Sequence, residues 1–342
     1  MAAALLIASL LTPLKSHAMD WGVAGHSPTG SYHAYRDVPL TQQLDALNAL
    51  GVTYYRVDAN SPSSIKPIVD LIRGNSAYSK LKIIPILYGP ISWNDIKSNP
   101  RGYTNAYIYD SCKTAAQEWM KFWTANGYAS FPFEQIEISN ELDDKCINSG
   151  TSGESAEMYN DGQFERCKSI IQGLCDGIRA ANPTIPRIVG CAGWLHYGFL
   201  DRLIAELGAP DWEILTYHWY SDMGPISRHS DVTTKLEGYM TKYHLPTWVT
   251  EVDCRDGSLP KGGETPEQAE ARHGAKLAAI VRDMKQFPFI HTICVYELLD
   301  EPYREGGEAH YGLIRTTKNA GGKYEMNGQK PAVTSAYRDC FR

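Results

Sequence analysis

The chain has 342 residues, 43% hydrophobic and 21% charged, an ordinary globular composition with enough apolar material for a sizeable core. Its 29 Gly, 19 Pro and 11% aromatic residues exclude both disorder and collagen-like repetition. With 33 Lys and Arg against 39 Asp and Glu the net charge is −6, and no basic run occurs, which argues against nucleic acid or an anionic membrane as partner.

The chain opens on a short apolar run, Ala2 to Leu14, followed by Ser16-His17-Ala18 in a small-x-small pattern. This reads as a signal peptide over residues 1–18, cut after Ala18, with 19–342 as the remaining domain. The run is too short to span a bilayer. It departs from the usual form in one respect, since Lys15 follows the apolar run and no Lys or Arg precedes it. The expected location is secreted or periplasmic, with no membrane attachment after cleavage and the oligomeric state left open. Behind an export signal, an even count of eight cysteines predicts some disulfides. Cys191 and Cys294 lie in strand-like runs and read as buried thiols. Cys112, Cys146, Cys167, Cys175, Cys254 and Cys340 are the bridge candidates, with no pairing assigned. No CxxC and no zinc-like Cys/His spacing occurs, so neither a metal nor another cofactor is expected.

Short β-branched or aromatic runs then alternate with helix-period segments. The runs fall at 21–26, 52–58, 82–89, 133–141, 187–193, 212–220, 246–253 and 292–300. Between the first two, Leu40, Leu44 and Leu47 make an apolar stripe that ends at Gly51. Ile65, Ile68, Val69 and Ile72 make the next. Phe164, Cys167, Ile170, Ile171, Leu174 and Ile178 extend over four turns, with Pro183 beyond them. Leu200, Leu203, Ile204 and Leu207 follow the fifth run. Thr265-Pro266-Glu267 opens a helix in cap-then-proline order, and Leu277, Ile280, Val281 and Met284 carry its buried face. Eight strand–helix units in one series predict an α/β fold, a single-domain (β/α)8 TIM barrel. An open doubly wound sheet is the alternative, but it has fewer strands as a rule, and no GxGxxG or P-loop follows the first run. Residues 94–111, 142–161 and 254–263 read as long loops on the C-terminal face of the barrel, where active sites form.

Catalytic groups in such a barrel come from the C-terminal ends of strands. Here those ends read Ser27, Asp58, Tyr88, Asn140-Glu141, Trp194, His218-Trp219-Tyr220, Glu251 with Asp253, and Glu297 with Asp300-Glu301. The set is rich in carboxylates and aromatics and lacks an activated Ser or Cys. Two carboxylates across an aromatic-walled cleft suit glycoside hydrolysis. One delivers a proton to the leaving oxygen, and the other attacks or stabilises an oxocarbenium-like centre.

Ile136-Glu137-Ile138-Ser139-Asn140-Glu141 resembles the fourth strand of clan A glycoside hydrolases, which ends in Asn-Glu. Val249-Thr250-Glu251 is similar to their seventh strand, His218-Trp219-Tyr220 to the His-x-Tyr of the sixth, and Arg56 to the Arg of the second. Within the clan the overall look is nearest to family 39. The resemblance spans roughly Trp21 to Pro302. It implies that Glu141 is the general acid/base, Glu251 the nucleophile and Asn140 a ligand of the sugar 2-hydroxyl. It further implies that Tyr220 donates a hydrogen bond to Glu251, while His218 and Arg56 hold and polarise that carboxylate. On this reading Glu251 has a low pKa and Glu141 a raised one. The carboxyl groups then lie about 5–5.5 Å apart and the reaction retains anomeric configuration on a β-linked polysaccharide or oligosaccharide. The eighth strand departs from the clan pattern, with Tyr296-Glu297 where a Trp is usual, so Tyr296 and Glu297 stand in for the floor of the sugar subsite.

Several residues carry a competing structural reading. Asp253 shares a strand face with Glu251 and rivals it as nucleophile. Glu137 sits deeper and reads as an internal polar contact. Arg56 alone could neutralise Asp58 or a buried Glu. Trp93, Trp194 and Trp219 are possible sugar platforms, with Trp194 the best placed. Glu297, Asp300 and Glu301 bind hydroxyls or pair with Arg304. Two other functions compete: a catalytically silent carbohydrate-binding barrel, and a metal-dependent barrel hydrolase, for which Gly25-His26 offers one histidine but no His-x-His pair.

Overall fold

A computed structural model describes residues 19–341. The expected signal peptide and its cleavage site lie outside the described residues. Eight parallel strands close into a barrel in sequence order. They are β1 (Asp20–Gly25), β2 (Tyr54–Asp58), β3 (Lys82–Leu87), β4 (Ile136–Ile138), β5 (Arg187–Cys191), β6 (Ile214–Tyr220), β7 (Thr247–Asp253) and β8 (Ile290–Val295). The seam is shut by β1 against β8, with Asp20 opposite Thr292 and Val23 opposite Val295. Each predicted run overlaps one of these strands, with β1 and β8 starting one and two residues before theirs, and the barrel is a single domain.

The helices are α1 (His33–Asp37), α2 (Leu40–Leu50), α3 (Pro62–Gly74), α4 (Trp93–Ser98), α5 (Asn105–Ala125), α6 (Asp161–Ala181), α7 (Tyr197–Leu207), α8 (Ser230–Tyr243), α9 (Pro266–Met284) and α10 (Pro331–Cys340). Their boundaries follow local chemistry. Gly51 ends α2 in the left-handed conformation at φ 77°, which costs glycine little. Thr265 and Gln268 form a reciprocal capping box at the start of α9. Among the described residues no helix is long and apolar enough to cross a membrane.

One expectation is corrected here. Residues 94–111 are not one long loop, because α4 and the start of α5 lie in that span, capped by Ser92 and Thr104 side chains. Residues 142–161 contain two short 3-10 turns, Asp143–Lys145 and Ala156–Met158. A hairpin of β9 (Ile314–Lys318) and β10 (Tyr324–Gln329) follows the barrel and has no counterpart among the predicted strands. Its outward faces are polar, so it lacks the apolar alternation that announces a strand.

The interior of the barrel is layered. At the bottom, Tyr54, Ile84, Ile188, Ile214, Trp248 and Cys294 pack as a small apolar cluster. One layer higher the filling turns polar: Arg56, Glu137, Thr216 and Thr250 are all buried. The outer core lies between the strands and the helices. None of the expected bridges is seen: all eight cysteines are buried free thiols. Cys146 and Cys167 point to the same carbonyl, Leu142 O, at 3.6 and 3.3 Å, and Cys340 donates to Ala278 O at 3.7 Å.

Candidate active site

The cleft opens at the C-terminal rim and has a volume of about 450 Å³. Asn140, Glu141, Trp194, Tyr220, Glu251, Tyr296 and the guanidinium of Arg56 line it. The chain leaves β4 through two left-handed residues, Ser139 at φ 60° and Glu141 at φ 48°, with Asn140 between them. Such backbone is uncommon outside glycine and collects at functional sites. On the opposite side, the ladder between β6 and β7 shifts register, so that Tyr217 pairs with Val249 but His218 pairs with Glu251. This irregularity re-aims the rim end of β7.

Glu141, His218 and Glu251 converge, with one nitrogen or carboxylate oxygen from each within 4.8 Å of the others. Arg56 sits beneath them at 2% exposure. Its Nη1 donates to Glu251 Oε1 at 2.6 Å, its Nε to Glu137 Oε2 at 2.6 Å, and its Nη2 to Glu137 Oε1 at 2.8 Å and Asn140 Oδ1 at 2.7 Å. Tyr220 donates its hydroxyl to Glu251 Oε2 at 2.9 Å. Because Arg56 occupies Oδ1 of Asn140, the amide NH2 of that residue remains as the donor on the cleft side.

His218 departs from its expected partner. Its Nδ1 lies 2.8 Å from Glu141 Oε1 and 3.7 Å from Glu251 Oε2, so it bonds the first glutamate and not the second. The physical consequence corrects the expected rise in the Glu141 pKa. Burial pushes that carboxyl up, but the hydrogen bond and charge of His218, with Arg56 behind, outweigh it and leave it below the ordinary carboxylate value. The imidazole responds in the opposite sense. Burial pulls it down, while Glu251 and Glu141 together hold it above its ordinary value.

Other side chains separate cleanly. Asp253 is fully buried and turned away, accepting from His273 Nε2 at 2.6 Å and from its neighbour Cys254 N at 2.7 Å. Trp219 is fully buried and its indole N–H donates to Gly224 O, so it is not a sugar platform. Trp93 opens α4 and packs against the core outside the cleft. Glu297 is 1% exposed and absent from the cleft wall, a correction to its expected contact with sugar. The hydroxyl of Tyr35 donates to it at 2.7 Å, and burial, then Glu301, push its carboxyl well above the usual range. The Tyr296–Glu297 peptide is cis, and of the two only Tyr296 faces the cleft.

The cleft also contains links between groups that strand-end reading passed over. His26 Nδ1 meets Asp58 Oδ2 at 2.5 Å, and Tyr88 donates to Asp58 Oδ1 at 2.7 Å. On the β4–β5 side, His196 Nδ1 meets Asp143 Oδ2 at 2.5 Å, beside Asp144, whose carboxyl is pushed up to about 6 by burial and by Asp143 and Glu141. Arg255 and Arg304 lie on the β7–β8 wall. Asp58 and Tyr88 stood at predicted strand ends. Their link through His26 had no signal in the sequence, because the three residues come from three different strand–helix units.

No protein-family model matches this chain, and no curated protein matches it. Solved structures do. A β-glucosidase from Thermotoga maritima in complex with azafagomine superposes with a TM-score of 0.64 at 12% identity, over 94% of this chain and 98% of that one. The Ignisphaera aggregans GH53 catalytic domain gives 0.58 at 13% identity, over 97% of each chain. The virulence factor SghA, solved with its substrate analog salicin, gives 0.62 at 12%, over 95% of this chain and 96% of that one. The protein therefore has the TIM-barrel fold of glycoside hydrolases. A further Thermotoga maritima match is described as a family 1 β-glucosidase, so the printed names are those of family 1 and GH53 and lend no support to family 39 in particular.

Proposed function

We propose that this protein is a retaining glycoside hydrolase of clan A type, acting on a β-linked polysaccharide or oligosaccharide. The observation that carries the reading is the approach of the Glu141 and Glu251 carboxylates to within 4.8 Å, with one cleft above both. That spacing is near the short separation of double-displacement enzymes, and well below the ~6.5–9.5 Å needed to admit a water between acid and base in an inverting one.

In this reading Glu251 attacks the anomeric carbon, forming a glycosyl–enzyme bond as the exocyclic C–O bond breaks. Glu141 gives its proton to the departing oxygen, then takes one from the water that releases the sugar. Arg56 and Tyr220 hold the two oxygens of Glu251 and keep the carboxylate aimed. The free amide NH2 of Asn140 donates to a sugar hydroxyl, and Trp194 and Tyr296 supply aromatic wall. Export, with cleavage after Ala18 and a mature N-terminus at Met19, belongs to the same proposal.

The test is covalent trapping. The protein is incubated with a library of 2-deoxy-2-fluoro glycosides bearing a good leaving group, then digested and mapped by mass spectrometry. The expected result is one sugar attached to Glu251. Attachment to another side chain, or turnover of natural glycans with inversion, would reject the assignment. Intact mass of the exported chain checks the N-terminus.

A further inference from the structure

A second group of buried acids lies at the seam of the barrel, apart from the two glutamates above. His26 follows β1, and Glu297 and Glu301 follow β8. One nitrogen or oxygen atom from each lies within 4.8 Å of the other two. The three residues are 5%, 1% and 1% exposed.

Their hydrogen bonds leave one atom over. Tyr35 donates to Glu297 Oε2, and Tyr303 and Arg304 hold the two oxygens of Glu301. Glu297 Oε1 is buried with no hydrogen-bond partner among the described residues. An orphaned carboxylate oxygen at this depth is costly, so it marks a place where something else belongs. His26 is prepared for the same purpose. Asp58 takes its Nδ1 at 2.5 Å, which fixes the tautomer in which Nε2 offers a lone pair; in this structure that lone pair accepts from the Tyr296 hydroxyl at 3.1 Å, a contact the ion would displace. Nε2 lies 3.5 Å from Glu297 Oε2. That is long for a hydrogen bond, yet it is about the separation of two ligand atoms each ~2.1 Å from a tetrahedral ion. A histidine oriented by a carboxylate, and carboxylates oriented by tyrosines, is the outer support that metal ligands have.

We propose that His26, Glu297 and Glu301 bind one Zn²⁺ ion that ties β1 to β8. One imidazole with two carboxylates suits zinc better than calcium or magnesium, which prefer all-oxygen sites. The ion's role is structural. It fixes His26, a group on the cleft wall, and takes no part in the glutamate chemistry.

Full-length protein is stripped with a chelator and titrated with ZnCl₂ by calorimetry. The expected result is one ion per chain, with affinity reduced at least tenfold in Glu301→Gln and unchanged in Glu141→Gln. The second variant matters because Glu141, His218 and Glu251 also place donor atoms close together. Anomalous diffraction at the zinc edge from soaked wild-type crystals needs no variant, and a peak between His26, Glu297 and Glu301 is expected. Absence of zinc uptake, uptake indifferent to Glu301→Gln, or a peak at Glu141 and Glu251 instead overturns the proposal. None of these outcomes bears on fluoroglycoside trapping.

Discussion

His218 Nδ1 hydrogen-bonds Glu141 Oε1 at 2.8 Å, which ties the proposed proton donor to a buried imidazole. The two groups titrate together, the carboxyl below its ordinary value and the imidazole above its own. In the one-proton form, the proton needed for glycosidic oxygen is shared by the pair. It is lost only as pH rises through the raised histidine value. In His218→Gln the carboxyl alone holds that proton and releases it at lower pH. The alkaline limb of kcat/KM on an aryl glycoside should therefore move toward acid. An unmoved limb would separate His218 from the acid step.

Glu141→Gln and Glu251→Gln should each lower kcat/KM by about 10²–10⁴ while unfolding at wild-type denaturant concentrations. The two are told apart by azide rescue of the alanine variants. With Glu141→Ala, azide should resolve the glycosyl–enzyme and give a product of retained configuration. With Glu251→Ala, azide attacks the substrate directly and the product is inverted. NMR of the anomeric proton reads the difference. The same configuration from both variants would contradict the assigned roles.

Arg56 is the only cation in direct contact with both Glu137 and Glu251 among the described residues. Arg56→Met leaves two carboxylates in the barrel without their partner. The expected loss is about 3–5 kcal/mol in urea unfolding, since removing one member of a buried ion pair strands the other. Adding Glu137→Gln to Arg56→Met should recover part of that loss. A double variant less stable than the single would show that Glu137 is held by something other than this charge.

Gly193 lies on the cleft wall at φ 94°, and a Cβ there would stand 1.7 Å from the carbonyl oxygen of His218. Gly193→Ala must displace the backbone of β6 beside the residue that holds Glu141. Its expected cost is at least about 2 kcal/mol, with activity lost as well. Gly51→Ala is the control, because Gly51 has a similar φ of 77° but nothing within 4 Å of the added carbon. It should cost about 1 kcal/mol and leave activity intact. Equal effects at the two positions would remove the steric argument.

Much of the barrel was legible because a half-buried helix and a buried strand impose different periods on apolar residues, and both periods were present from Leu40 to Met284. The β9–β10 hairpin was not, since its exposed faces carry no apolar alternation. The helix at Asn105–Ala125 was not, because its buried face runs through Ile108, Cys112, Ala116, Trp119, Met120 and Trp123 and lacks a Leu/Ile stripe. The disulfides were expected from a count and a compartment, and neither quantity contains a distance.

By itself the sequence determined which side chains reach the rim, because a residue's place at a strand end is a local property. Asn140, Glu141, Tyr220 and Glu251 were all visible in that way. Which of these side chains touch was decided only by closure of the barrel. Closure gave His218 to Glu141, shared Arg56 among Glu137, Asn140 and Glu251, and buried Asp253 against His273. It also drew Glu297 inside, away from the cleft. The reason is geometric: hydrogen bonds and pKa shifts depend on separations of a few ångströms between residues distant in the chain, and strand register, bulge and tilt set those separations.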